Sequence, residues 1–218
     1  VPRYVIPAFR ISDEALDKDV ALMERLGVEV KCGAPAPSVA ELKKMGYTHI
    51  LLATGAWQAG ELGIPGNVRG VIAWMKEMKQ QVKPCLEGHV VVVGAGNPAM
   101  DAARVAKRMG AASSTIVYRR TKKEMPADEH ELKLAIDEGV NLVELAAPVE
   151  QKDGKLICNQ MKLGEPDASG RRSPVATGET FEIPCDLVLS AIGEKVDAKL
   201  MAENGIEMGR KGPAFQTN

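Results

Sequence analysis

Three observations predict an α/β fold built on a parallel sheet. The β-branched run His89-Val90-Val91-Val92-Val93 has the composition of a strand buried on both faces of such a sheet. It leads into Gly94-Ala95-Gly96-Asn97-Pro98-Ala99, and then into a helical pattern whose Ala99, Ala102, Ala103, Ala106 and Met109 form a small-residue face. A second apolar strand, Ser114-Thr115-Ile116-Val117-Tyr118, follows. Strand, glycine turn, helix and strand therefore alternate as a βαβ unit requires.

The other elements are read in order. Residues 13–26 carry apolar positions at helical spacing (Ala15, Leu16, Val20, Met23), with Ser12 as N-cap and Gly27 as C′. Val28-Glu29-Val30-Lys31 alternates like a strand. Ser38 with Glu41 is a capping box opening a short helix that ends at Gly46. His49 to Gly55 reads as a buried strand, Gly60 to Gly66 as a turn-rich linker and Val71 to Val82 as a helix. Beyond the glycine motif, the helix Pro98–Met109 has Pro98 in its first turn, where no N–H is needed. Asp128 to Glu138 is a helix closed by Gly139, and Asn141 to Leu145 is a strand. From Val149 to Pro184 the pattern becomes antiparallel, with turns at Asp153-Gly154 and Ala168-Ser169-Gly170. Asp186 to Gly193 returns to a buried strand.

Composition narrows the function classes. The chain has 218 residues, 45% of them apolar and 26% charged, as an ordinary globular protein does. A formal net charge of -1 gives no field to recruit nucleic acid, and no basic run suggests a membrane surface. No apolar run reaches the roughly 18 residues of a membrane span. Cys32, Cys85, Cys158 and Cys185 form no Cys-x-x-Cys and have no spaced histidine partner. They read as reduced thiols of a cytoplasmic protein. The chain opens at Val1 without an initiator Met and stops at Asn218 without a terminal element, so it reads as a piece of something longer.

In its strand–turn–helix context the glycine motif predicts a dinucleotide site. Gly94 permits the tight turn, Gly96 leaves room for a pyrophosphate, and Ala99 lets the helix pack on the sheet. Backbone N–H groups at the helix start would face the pyrophosphate. An NAD site places an acid about 20 residues on, to bind the ribose 2′-hydroxyl. Here Arg119 and Arg120 stand at that place, which suits the 2′-phosphate of NADP. Asp101 is read as a first-turn carboxylate favoured by the helix dipole. His49, His89 and His130 are read as structural. No Ser/His/Asp set or clustered carboxylate pair is evident.

Pro7-Ala8-Phe9-Arg10-Ile11, Ala53-Thr54-Gly55, Leu62-Gly63-Ile64-Pro65-Gly66, Val93 to Arg104, Val117-Tyr118-Arg119-Arg120 and Ala191-Ile192-Gly193 occur in that order. Together they resemble the NADPH-dependent flavin reductase module of the glutamate synthase small chain. Related versions occur in dihydropyrimidine dehydrogenase and in iron–sulfur oxidoreductases such as selenate reductase subunits. The resemblance covers essentially the whole chain. It implies a Rossmann-like NADPH domain, with an antiparallel β crossover, inserted between partial FAD-domain segments. The segments would be 1–84 for FAD-domain sequence and linker, 85–195 for the NADPH domain, and 196–218 for the return to the FAD domain. Ala95, Gly96, Asn97 and Pro98 would lie along the pyrophosphate, and Arg119 and Arg120 on the 2′-phosphate. Ala191, Ile192 and Gly193 would approach the nicotinamide half, while Arg10, Thr54 and Gly55 correspond to FAD-contacting positions. Hydride would pass from NADPH to FAD and electrons onward to iron–sulfur clusters outside this chain, in a partner segment or catalytic subunit.

The sequence also departs from that family. Its first Gly-x-Gly-x-x-Gly would precede Val1, its final Gly-Asp would follow Asn218, and its cysteine-rich iron–sulfur segment is missing. Pro98 stands where Val or Thr is expected. Two rival readings are a module that binds NADP without turnover and a dithiol flavoenzyme like thioredoxin reductase. The missing Cys-x-x-Cys argues against the latter.

Overall fold

The computed structural model describes residues 1–166, 170, 172–209 and 212–213. The chain divides into a first unit, Val1–Ser12 with Ala59–Gly193, and a second, Asp13–Gln58 with Glu194–Asn218. In chain order the first unit runs β1 (Val68–Gly70), α1 (Val71–Met78), β2 (His89–Val93), α2 (Asn97–Arg108), β3 (Ser113–Val117), α3 (Glu129–Asp137), β4 (Asn141–Val143), β5 (Ala146–Lys152), β6 (Lys155–Pro166), β7 (Arg172–Pro184) and β8 (Leu187–Ser190).

The β-branched run becomes β2, near the centre of a five-stranded sheet in the order β1-β8-β2-β3-β4. Every pairing in it is parallel. Successive side chains of β2 point to opposite faces. Val90 and Val92 pack with α1, α2 and α3, whereas Val91 and Val93 pack with Leu156, Cys158, Ile183 and Cys185. Those last residues belong to, or adjoin, the antiparallel sheet β5-β6-β7. One face of the parallel sheet is thus covered by helices and the other by a second sheet, so β2 is apolar at every position.

The small-residue face of α2 is fully buried at Ala99, Ala102, Ala103 and Ala106, and the Ser114 hydroxyl donates to the Ala103 carbonyl at 2.9 Å. Alanines let the helix axis approach the sheet closely. Trp74 of α1 and Met100 of α2 are completely buried on the same side.

The Asp153-Gly154 turn joins β5 to β6 as expected. Both residues have positive φ, +51° and +74°, between the paired residues Lys152 and Lys155. That is the backbone of a two-residue hairpin turn whose twist matches the strands. Of the expected Ala168-Ser169-Gly170 turn, residues 168 and 169 lie outside the described residues; Gly170 has φ +79°.

Several expectations are corrected. The helix expected over Val71–Val82 stops at Met78, and Val82 is exposed. Residues 68–70, not foreseen as a strand, pair with β8. The first unit takes up Val1–Ser12 and resumes at Ala59.

In the second unit, Val28–Lys31 and His49–Gly55 form no strand. Leu51 is 90% exposed where burial was expected. An extended segment becomes a strand only against a hydrogen-bonded neighbour, and neither has one among the described residues. The helix Asp13–Arg25 forms but buries none of its residues, leaving Leu22 and Met23 exposed. Gly27 closes it with φ +88°. The capping box forms: Ser38 caps helix Val39–Lys44 and Glu41 returns the bond. Asp197 caps helix Ala198–Glu203, and the Asn204 side chain accepts from the Val39 N–H at 2.9 Å.

Candidate functional site

In a parallel sheet of this kind, ligands bind beyond the carboxyl ends of the strands where the strand order reverses. That point lies between β2, which leads to α2 and β3 on one side, and β8, which neighbours it on the other. The glycine turn and Ala191-Ile192-Gly193 leave these two strands side by side. The Ala191 N–H donates to the Val93 carbonyl at 2.8 Å, and the Gly94 N–H donates to the Val117 carbonyl at 3.1 Å. Gly94 is wedged between neighbours: it has φ +142°, and a β-carbon there would stand 2.3 Å from the Ala191 carbonyl oxygen.

Gly96 differs. Its φ is −92°, and a β-carbon there would meet only Pro98 Cδ, at 3.5 Å. Glycine is thus not needed at this position for packing; a side chain would project into open space over the turn. The N–H groups of Ala95 and Gly96 find no backbone acceptor among the described residues. Gly96 caps α2 without a side-chain hydrogen bond, and Pro98 lies in its first turn. Uncapped donors at a helix start form an anion cradle.

The turn is braced from the residues that lead into α3. The Ala127 N–H donates to the Ala95 carbonyl at 3.0 Å, and the Asp128 N–H to Asn97 Oδ1 at 3.3 Å. The Tyr118 hydroxyl donates to the Glu124 carbonyl at 2.8 Å, anchoring the same crossover. On the β8 side, the Gly60 N–H donates to the Gly193 carbonyl at 2.8 Å, and the Ser190 hydroxyl to the Gly60 carbonyl at 3.0 Å. These braces were not anticipated, because nothing in the spacing of Gly60 or Ala127 marks them as neighbours of the motif.

The two arginines past β3 have different surroundings. Arg119 is exposed. Arg120 is 8% exposed; its Nε donates to the Arg172 carbonyl at 3.2 Å, and its own carbonyl accepts from the Leu145 N–H. Arg120 therefore ties the parallel sheet edge to β7, a use the sequence did not indicate.

Arg10 lies in the first unit, against α2 and α3. Its Nε is bonded to Asp101 Oδ1 and its Nη1 to Glu131 Oε1. The preceding Phe9 ring stacks under two guanidiniums, Arg104 at 4.2 Å and Arg108 at 4.3 Å. Both of those arginines bind Glu138, at 2.6 and 2.7 Å. Bonding to Arg108, with Arg104 beside it, outweighs burial and holds the Glu138 carboxyl at about 2. Asp101 falls beyond the first turn of α2, and its carboxylate pairs with Arg10 instead of serving the helix end. Burial pushes the Asp101 carboxyl upward against the pull of Arg10. A cavity of about 320 Å³ is lined by Arg10, Asn97, Pro98 and Asp101, with Val71 and Ile72.

Thr54 and Gly55 belong to the second unit. The Thr54 carbonyl accepts from Trp57 Nε1 at 2.9 Å, and Gly55 has φ +74°. The three residues that the resemblance implies for FAD are thus divided, with Arg10 committed to carboxylates of the first unit. Cys158 and Cys185 are buried, and burial pushes their thiols up to about 11 and 12, far from a reactive thiolate. Cys32 and Cys85 are exposed. No group of three metal-ligating side chains occurs among the described residues. No helix among them is long and apolar enough to cross a membrane. His89 Nδ1 pairs with the Ser113 hydroxyl at 2.8 Å, joining β2 to β3.

A model of the family described as pyridine nucleotide-disulphide oxidoreductase matches residues 14–217. The Escherichia coli (strain K12) oxidoreductase YgfK is 37% identical over 218 residues, covering 97% of this chain and 21% of that protein. The glutamate synthase [NADPH] small chain of Azospirillum brasilense is 32% identical over 216 residues, covering 87% of this chain and 44% of that one. The chain thus spans between a fifth and a half of these relatives. The solved structure of FprA, a Mycobacterium tuberculosis oxidoreductase, matches with a TM-score of 0.65 at 19% identity, over 83% of this chain and 56% of its own. That likeness concerns the fold.

Proposed function

Given that this chain belongs to the pyridine nucleotide-disulphide oxidoreductase family, we propose that its first unit is the NADPH-binding part of a flavin-dependent oxidoreductase. Hydride would pass from NADPH to FAD, and electrons onward to iron–sulfur clusters in another segment or subunit, as in a glutamate synthase small chain. The supporting observation is the pair of N–H donors at Ala95 and Gly96, which find no backbone acceptor among the described residues, at the switch point and one strand from the exposed Arg119.

The residues present fit the nucleotide. The Ala95–Asn97 turn would hold the pyrophosphate, and open space over Gly96 would admit it. Arg119 would pair with the 2′-phosphate, with Arg120 beneath it. Ala191, Ile192 and Gly193 would flank the nicotinamide half, because they leave the strand next to the motif. When bound, NADPH supplies a hydride; the chain supplies binding, orientation and electrostatics. Residues 13–58 and 194–218 are proposed to belong to the FAD-binding part, with Thr54 and Gly55 among its contacts, in a cytoplasmic protein.

Calorimetric titration tests the reading. NADP⁺ is expected to bind at least about tenfold more tightly than NAD⁺, the effect of one charge-assisted pair. Equal affinities would overturn the NADP assignment, and binding of neither would overturn the site. The dithiol reading finds no support in the buried, high-pKa pair Cys158 and Cys185.

A further inference from the structure

The charged cluster behind α2 has a balance that bears on an anion site. Arg10, Arg104 and Arg108 face Asp101, Glu131 and Glu138, three guanidiniums against three carboxylates. Arg104 and Arg108 are shared with Glu138, and Arg104 reaches Glu131 Oε2 only at 3.7 Å. Arg10 is therefore the close partner of both Asp101 and Glu131. Asp101 stands one turn beyond Asn97, and Asn97, Pro98, Asp101 and Arg10 line one cavity. The Ala95 and Gly96 N–H groups, without backbone acceptors among the described residues, lie at the same end of that helix.

We propose that Arg10 is a positioning residue for the dinucleotide site. It completes the balance of three guanidiniums against three carboxylates, so that the start of α2 presents an uncompensated positive end to the pyrophosphate, and it fixes the helix against α3. This inference rests on the dinucleotide reading above, but it assigns Arg10 to the nucleotide and not to the flavin. Without Arg10, two carboxylates at 13% and 16% side-chain exposure lose their close cation, and a negative charge remains beside the anion cradle. Like charge at that place opposes the ligand. Phe9, stacked against Arg104 and Arg108, fixes the chain one residue before Arg10, so the Arg10 guanidinium arrives already placed.

The experiment compares two probes by calorimetry on the full-length protein: NADP⁺, which carries the pyrophosphate, and adenosine 2′-monophosphate, which carries the 2′-phosphate without it. Arg10→Met is expected to weaken NADP⁺ by about tenfold, through the negative charge left beside the cradle, and to leave the 2′-monophosphate unchanged. Arg10→Met with Asp101→Asn is expected to recover most of the loss, and Arg10→Lys to stay close to the parent. Unchanged NADP⁺ affinity in Arg10→Met would overturn the proposal. So would equal weakening of both probes, which marks general loosening, or failure of Asp101→Asn to restore binding. If the unmodified protein bound neither probe, the dinucleotide reading itself would fall. If it bound both and Arg10→Met changed nothing, only the role of Arg10 would fall.

Discussion

The Ala191 carbonyl oxygen lies 2.3 Å from the point where a β-carbon on Gly94 would stand, closer than such a carbon approaches backbone oxygen in folded proteins. Gly94→Ala therefore has to separate the ends of β2 and β8 and also bear a φ of +142°. We expect a loss of about 2–4 kcal/mol in urea unfolding. Gly96→Ala has neither burden, since it would meet only Pro98 Cδ at 3.5 Å. It should leave the unfolding midpoint nearly unchanged while weakening NADP⁺ in calorimetry. If both substitutions gave the same profile, the separation of a packing glycine from a ligand glycine would be wrong.

Arg119 and Arg120 should part company in the same assays. Arg119→Ala, at an exposed position, should erase most of the preference for NADP⁺ over NAD⁺ and leave stability within about 0.5 kcal/mol. Arg120→Ala removes a buried donor to the Arg172 carbonyl, so it should also cost about 1–2 kcal/mol. Equal stability of the two variants would contradict the bracing role of Arg120.

The Glu138 carboxyl, held at about 2 by Arg108 and Arg104, makes stability depend on acid. A depressed carboxyl pKa contributes stability above the unfolded value near 4.5, and that contribution fades as pH falls toward 2. With 24% of the side chain exposed, we expect Glu138→Gln to cost about 1–2 kcal/mol at pH 7. The gap to the parent should close between about pH 4.5 and 2. A gap that stayed constant across that range would show that the ion pairs contribute nothing.

At the β5–β6 turn, Gly154→Ala forces a side chain onto a φ of +74° and should cost about 1 kcal/mol. Asp153→Asn should be neutral, because asparagine accepts the left-handed conformation that Asp153 already holds at +51°. Thermal melts of the two variants provide the comparison.

Local signals carried much of this fold. The β-branched run, the alanine face of α2, the Ser38 capping box and the Asp153-Gly154 turn were legible because each depends on residues within a few positions of one another. What escaped depends on distant partners. Val28–Lys31 and His49–Gly55 have strand composition, yet composition cannot supply a neighbour to pair with. The reverse holds for Val68–Gly70, three residues that become a strand because β8 lies beside them. In the site, the glycine turn was readable, whereas the link from Arg10 to Asp101 joins positions 91 apart and leaves no periodic trace. Arg119 and Arg120 look alike in sequence; only the antiparallel sheet, by reaching Arg120 through Arg172, makes them different.

The seating of Phe9 and Arg10 on α2 also has a kinetic side. These contacts close a loop through Asp13–Gln58 and tie Arg10 to partners 91 and 121 residues away. Closing so long a loop costs entropy before any contact repays it. The β2-α2-β3 nucleus, whose contacts are nearer in sequence, is therefore expected to form first and the leading segment to dock afterwards. Phe9→Leu should then speed unfolding while leaving the refolding limb of the chevron in place, so the leading segment would govern how long the native state lasts rather than how quickly it is reached.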